Sequence, residues 1–282
     1  EFAARGIGGL VLVARAKDDL DALANEIRLK YAIAHDAPLV VIPADLSEPD
    51  APGKIKAETD RLGIRVDILV NNAGFGSHGF FHKASPEKEQ QMIQVNIASL
   101  VALTRLYLPA MIEQDCGAIL QVGSTAAFQA VPYMATYAAT KAFVQSFSEA
   151  LWGEMQECGS HVKVIALCPG GTNTHFGEGM TRGRFENIPH DTPETVARVG
   201  VDAISRDSSY VVVGLMNQVS TQVPRFFPRA AVTRIAGAMF RPLNEEEEPF
   251  PAETLRKAVL GTVALAAGIT ALALIFSRQS RD

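Results

Sequence analysis

Apolar and polar positions follow two rhythms along the chain. Short apolar runs rich in β-branched residues recur between longer stretches with a helical repeat. Leu10–Ala14 (LVLVA) predicts a strand. Asp18–Ala34 predicts a helix, with Asp18 or Asp19 near its start and Leu20, Leu23, Ile27 and Tyr31 at helical spacing. Leu39–Ala44, Asp67–Asn71, Ala118–Gly123, Val162–Cys168 and Tyr210–Val213 predict further strands. Between them, helices are predicted over Lys54–Leu62, from a Ser85 cap to about Glu113, over Met134–Glu157 and over Pro193–Ser205. Strands apolar along their whole length are expected to be buried on both faces. Alternating with helices, they imply an α/β fold, a doubly wound parallel sheet covered by helices.

The rhythm stops after Gly214. Residues 218–240 hold Pro224, Pro228 and three arginines among apolar residues, and predict short helices over the open end of the sheet. The reading divides the chain into an α/β unit over 1–215, a helical lid segment over 216–243, an acidic linker over 244–255 and a hydrophobic segment over 256–278. Within the last, Ala258–Phe276 is 19 residues without a charge, flanked by Arg256 and Lys257 before and Arg278 and Arg281 after. As a helix it would span roughly 28 Å, the thickness of a bilayer's hydrocarbon core. A C-terminal membrane anchor is therefore expected, against the alternative of a buried helix. Basic residues on both flanks leave its orientation open. Ala264 with Gly268, and Ala267 with Ala271, are small pairs that would let two such helices approach closely.

Composition narrows the function. The chain has 282 residues, a formal net charge of −5 and 48% hydrophobic residues. The charge argues against a nucleic-acid partner, which usually meets a basic surface. Three cysteines, Cys116, Cys158 and Cys168, are widely spaced with no CxxC, so neither a disulfide framework nor a metal site is expected.

Three patterns carry chemistry. Asn71-Asn72-Ala73-Gly74 ends one strand, Ser124 follows another, and Tyr137-Ala-Ala-Thr-Lys141 opens a helix. Tyr137 and Lys141, four apart, share a helix face. An ammonium near a phenol favours the phenolate, so Tyr137 is expected to have a lowered pKa and to act as an acid–base near neutral pH. Ser124 sits where open α/β sheets bind ligands, and its hydroxyl could hold a substrate oxygen next to Tyr137.

These motifs, with Asn96 in QVNIASL, twelve residues between Ser124 and Tyr137, and Pro169-Gly170 followed by Thr174, resemble the short-chain dehydrogenases/reductases over about residues 1–215. The resemblance implies a Rossmann-like fold and a set of roles. Tyr137 would donate a proton to a carbonyl, or accept one from an alcohol. Lys141 would bind the nicotinamide ribose and tune Tyr137. Ser124 would position the substrate oxygen, and Asn96 would hold a water linking Lys141 to solvent. Asp45, in PADLS, would contact the adenine. Asn72, Ala73 and Gly74 would line the adenosine side, and Pro169, Gly170 and Thr174 the nicotinamide end.

Cofactor choice rests on the residue after LVLVA. An acid there usually holds a ribose 2′-hydroxyl, whereas an arginine accommodates a 2′-phosphate. The chain has Arg15, with Lys17 nearby, so NADP(H) is expected. The family's phosphate loop, Thr-Gly-x-x-x-Gly-x-Gly, lies between a first strand and a first helix. Here EFAAR precedes Gly6-Ile7-Gly8 and a strand follows, the reverse order. Gly6, Gly8 and Gly9 are thus expected to form a helix-to-strand turn. The first strand, central in the order 3-2-1-4-5-6, would then be missing, leaving two apolar strand edges unpaired. A chain that starts late, with weak cofactor binding, is the expectation.

The function expected is a membrane-anchored, NADP(H)-dependent reductase of a carbonyl/alcohol pair, with its catalytic domain in the cytoplasm. Met134, Phe143, Phe147 and the Pro/Phe-rich segment 218–240 point to an apolar, lipid-like ketone. A dimer or tetramer paired through the helices over 86–112 and 134–157 is implied by the resemblance, and a membrane tail could restrict it to a homodimer. The competing reading is a binding or scaffold protein on the same fold with the phosphate loop gone.

Overall fold

The computed structural model describes residues 1–31, 37–174 and 190–243. Six strands, β1 (Leu10–Ala14), β2 (Leu39–Pro43), β3 (Ile68–Asn71), β4 (Ala118–Val122), β5 (Lys163–Cys168) and β6 (Tyr210–Val212), alternate with helices. The helices are α1 (Lys17–Lys30), α2 (Ala51–Arg61), α3 (Pro86–Ile93), α4 (Leu100–Glu113), α5 (Ala135–Glu157) and α6 (Pro193–Ile204). Every strand pair is parallel, as wholly apolar strands joined by helices require.

The sheet is split. β1 pairs with β2 alone, while β3, β4, β5 and β6 form a second sheet in that order. β1 and β3 therefore each keep one unpaired edge, and no described strand lies between them. This corrects the expectation of strands buried on both faces. β4 and β5 are buried almost throughout, but β1 is only half-buried. In β3, Ile68 and Val70 are 37% and 38% exposed. Burial fails on the strands that lack a neighbour on one side. The two sheets still share one core. Ile42 and Ile55 pack with Leu103, Tyr107, Met111 and Ile119, and Val11 and Val13 border them. Thr59 and Tyr107 hydroxyls are hydrogen-bonded at 3.0 Å inside this contact between α2 and α4.

The opening glycines behave as a turn. Ala3–Arg5 form a 3-10 turn that Gly6 ends in the left-handed region (φ 75°), its N–H reaching the Ala3 carbonyl. Gly9 lies so close to Pro38 that an added Cβ would meet the proline ring at 2.7 Å. The long helix predicted from Ser85 runs to Glu113 but is interrupted by a π-helical segment, Gln94–Ser99. Ser85 caps it, accepting from the Lys88 N–H at 3.2 Å. α1 stops at Lys30, short of the predicted Ala34, and residues 32–36 lie outside the described residues.

Among the described residues, one helix (Pro86–Glu113) is long and apolar enough to cross a membrane. One side of it packs into the core, with Met92 and Met111 fully buried. The expected linker over 244–255 and anchor over 256–278 lie outside the described residues.

A polar cluster inside the second sheet fixes its register. Asn71 and Gln121 are partners across β3 and β4. Asn71 Nδ2 donates to Gln121 Oε1 at 2.9 Å and to Thr104 Oγ1 at 3.2 Å, and Gln121 Nε2 donates to the same hydroxyl at 2.9 Å. A one-residue slip would bury these groups without partners, each at a cost of about 1–3 kcal/mol. The cluster thereby holds the end of β3, from which the next loop departs.

Candidate active site

The strand ends gather the candidate residues at one face of the sheet. Ser124 follows β4 in extended conformation and caps the short 3-10 turn Thr125–Phe128, accepting from the Ala126 N–H at 3.1 Å. The Thr125 N–H donates to the Pro169 carbonyl at 2.9 Å, which joins the loops after β4 and β5. Tyr137 and Lys141 lie one turn apart in α5, and both are buried. The Ser124 hydroxyl lies near enough to the Tyr137 phenol to favour its ionised form. Lys141 Nζ sits 5.8 Å from the centre of the Tyr137 ring and donates to the Val122 carbonyl at 2.7 Å.

Asn96 projects from the π-helical segment. Its Nδ2 donates to the Phe75 carbonyl and to Thr140 Oγ1, both at 3.0 Å, and its Oδ1 accepts from the Phe75 N–H at 3.1 Å. Asn96 thus clamps the loop after Gly74 onto α5. Both of its amide hydrogens are taken by protein groups, so a water on the Asn96 side chain has only a lone pair of Oδ1 to use. Gly74 closes the arrangement: a Cβ there would lie 3.0 Å from Asn96 Oδ1 and 3.5 Å from Lys141 Nζ.

Burial sets the protonation chemistry. It pushes the Tyr137 phenol above its ordinary value, and the Ser124 hydroxyl pulls the other way. Burial also lowers Lys141, to about 8. The expected lowering of Tyr137 by its lysine is therefore corrected. The dry surroundings penalise both charged forms, and the ammonium spends its short contact on the Val122 carbonyl. Behind Ser124 the Cys168 thiol is pushed up to about 12 by burial and donates to Gln145 Oε1 at 3.0 Å, which leaves it inert.

The residues expected to hold a cofactor are strung along the same strand ends. Arg15 is exposed just after β1. Asp45, just after β2, accepts from the Ser47 N–H at 2.9 Å; that bond, with a smaller contribution from Arg15, keeps its carboxyl below the usual range. Lys17 is ion-paired with Asp21 on the surface of α1. Asn72 and Ala73 are exposed beyond β3. Pro169 and Gly170 follow β5, and a Cβ on Gly170 would meet the Asn217 side chain at 2.5 Å. Thr174 is the last described residue before 190, with its N–H on the Thr172 carbonyl.

A sequence model described as short chain dehydrogenase matches residues 1–184. The chain belongs to the short-chain dehydrogenase family. Very-long-chain 3-oxoacyl-CoA reductase of Homo sapiens is 31% identical over 231 residues, covering 79% of this chain and 70% of that protein. A solved 7β-hydroxysteroid dehydrogenase superposes with a TM-score of 0.71 at 27% identity, covering 83% of this chain and 88% of that one. A short-chain dehydrogenase from Sphingobium yanoikuyae, solved with NADPH, gives 0.69 at 26% identity, covering 87% and 91%. This short-chain dehydrogenase is accordingly an oxidoreductase with a Rossmann-like parallel α/β fold.

Other positions depart from the sequence reading or escaped it. Phe143 and Phe147 do not face the Tyr137–Lys141 side of α5. They stack on each other, ring centres 5.7 Å apart, with Phe143 exposed. A six-residue step on a helix turns well away from the face that Tyr137 shares with Lys141 and Val144. The segment after Gly214 does form short helices, α7 (Leu215–Gln222) and α8 (Arg229–Phe240). α8 meets two loops: Gly237 lies against Pro132, between Ser124 and Tyr137, and the Phe240 carbonyl meets His78 Nε2, in the loop after β3, at 2.7 Å. Thr140, Phe75 and Asn217 were not singled out from the sequence. Thr140 lies inside the Tyr137–Lys141 motif, and its place one turn from Tyr137 was the available signal.

Proposed function

We propose that this chain reduces the carbonyl of a lipid-like substrate, of the 3-oxoacyl thioester kind named in its relatives, with NADP(H) as cofactor. The observation that carries the reading is the gathering of three buried side chains, Ser124, Tyr137 and Lys141, with the Lys141 ammonium over the face of the Tyr137 ring. The residues fit a nicotinamide dinucleotide. Gly74 leaves an open cradle between Asn96 and Lys141, and Arg15 stands exposed beside Asp45 at the end of β1, where a 2′-phosphate would lie. Asn72, Ala73, Gly74, Pro169, Gly170 and Thr174 would line the remainder. The reduced nicotinamide supplies the hydride when bound.

In this reading Ser124 holds the carbonyl oxygen and Tyr137 Oη delivers its proton to that oxygen as the C–H bond forms. Lys141, charged below about pH 8, stabilises the phenolate left behind and binds the nicotinamide ribose. Asn96 keeps Gly74 and Phe75 against α5. Residues 1–215 are the catalytic unit, 216–243 the lid, 244–255 a linker and 256–278 a membrane anchor with the catalytic unit on the cytoplasmic side. Two copies would pair through α4 and α5, where Leu106, Ile112 and Phe143 are exposed. NADPH oxidation with a panel of 3-oxoacyl thioesters and simple ketones tests the reading, and no turnover with any of them sinks it.

A second reading, a cofactor-poor binding protein on the same fold, is favoured by one observation. No described strand lies between β1 and β3. NADPH affinity of the chain separates the two readings.

A further inference from the structure

Residues 215–243 carry four arginines, Arg225, Arg229, Arg234 and Arg241, and no Asp, Glu or Lys, in a chain whose net charge is −5. None of the four has an ion-pair partner among the described residues. The same segment exposes large apolar side chains: Leu215 at 77%, Ile235 at 61% and Phe226 at 58%, with Met216 and Phe227 beside them in the chain. From Arg225 to Ala230 every residue is exposed. In α8 the buried residue is Ala236, while Arg234 and Ile235 stay in solvent. Apolar side chains interleaved with unpaired cations are the composition of a surface that lies in a bilayer's headgroup region.

We propose that the face formed by α7, the turn Val223–Phe226 and α8 rests on an anionic lipid surface, arginines on the headgroups and Phe226, Phe227 and Ile235 at the acyl boundary. The proposal rests on the membrane reading given above and extends it to a second contact. The chain outside the described residues fits this occupant. Asn244–Lys257 is 14 residues, a reach of at most about 50 Å, before the uncharged stretch Ala258–Phe276 begins. An anchor at that distance holds the arginine face near the lipid. Arginines within a Debye length of an anionic leaflet are drawn to it. The consequence is functional. α8 meets the loop between Ser124 and Tyr137, so this side of the site would sit at the headgroups and a lipid-like substrate would reach Tyr137 from the bilayer.

Hydrogen exchange of the full chain, with phosphatidylcholine vesicles and with vesicles also containing phosphatidylserine, tests this. The expected result is exchange at least fivefold slower across 215–241 in the phosphatidylserine vesicles, with core α4 unchanged. The slowing should be lost in the Arg225→Gln/Arg229→Gln/Arg234→Gln variant and, independently, in Phe226→Ser/Phe227→Ser. Equal exchange with and without phosphatidylserine overturns the proposal. So does protection already present without vesicles and abolished by changing Glu245–Glu248 to Gln, which would put the chain's own acidic run on the arginines. Alkaline carbonate extraction reads the anchor separately. A chain stripped by carbonate with 215–241 protected at neutral pH loses the anchor and keeps this face; a resistant chain with 215–241 unprotected does the reverse.

Discussion

Asn96 Nδ2 and Thr140 Oγ1 are 3.0 Å apart, which joins the π-helical segment of one helix to the Tyr137–Lys141 turn of another. Thr140 in turn donates to the Tyr137 carbonyl at 2.8 Å. One hydroxyl thus links the residue that clamps Gly74 and Phe75 to the residue proposed as proton donor. The link is buried, with both residues about 1% exposed, so neither group can turn to water instead.

Thr140→Val keeps the shape and removes the hydroxyl, leaving the Asn96 amide one partner short. The expected outcome is a stability loss of about 1–3 kcal/mol and a fall in kcat of roughly tenfold or more. Thr140→Ser should restore both. Urea melts and steady-state kinetics check this, and a Val variant that behaves like wild type would remove the link from the account.

Arg15→Ala should raise KM for NADPH by roughly 10- to 100-fold and leave KM for NADH nearly unchanged, because only the former carries the phosphate. Arg15→Asp should shift the preference towards NADH. Titrating both cofactors against both variants reads the difference. Equal effects on the two cofactors would separate Arg15 from the 2′-phosphate.

Lys141 is lowered to about 8 by burial. Unfolded, its pKa is about 10.4, so between these values the unfolded chain binds the extra proton. The burial penalty is full below pH 8 and disappears as pH rises to about 10.4. Lys141→Met should therefore stabilise the fold at pH 7 by about 2–3 kcal/mol while abolishing turnover, and the gain should shrink above pH 8. Thermal melts at pH 7 and pH 9.5 check the sign. In the wild type, reductase activity should fall above about pH 8 as the lysine loses its charge.

Gln121→Met leaves Asn71 and the Thr104 hydroxyl each short of a partner in the middle of the second sheet. A loss of about 2–3 kcal/mol is expected, and pairing it with Asn71→Leu should recover part of that loss. Denaturant midpoints of the two single variants and the double variant measure the coupling.

The strands and most helices were legible because their apolar periods are strong, and Leu10–Ala14 was predicted to the residue. Gly6 as the end of a helical turn was legible because the order around it is helix, glycine, strand. The unpaired edges of β1 and β3 were expected from the order around Gly6, but the exposure of Ile68 and Val70 was not drawn from it, since apolar content alone reports what a strand would bury given neighbours. The direction of the Tyr137 shift was misread because spacing gives the lysine's proximity but not burial, which dominates here. Thr140 and the Asn71–Gln121–Thr104 cluster depend on contacts between residues 17 to 50 apart, which no local pattern encodes.

The central claim is that Tyr137 delivers the proton to a substrate carbonyl held by Ser124. NADPH-dependent reduction of a 3-oxoacyl thioester by the wild type and by Tyr137→Phe tests it most directly. The account predicts a fall in kcat of at least about 1000-fold, with NADPH affinity within a few fold of wild type. A Tyr137→Phe variant that retains a tenth or more of the wild-type kcat would contradict it.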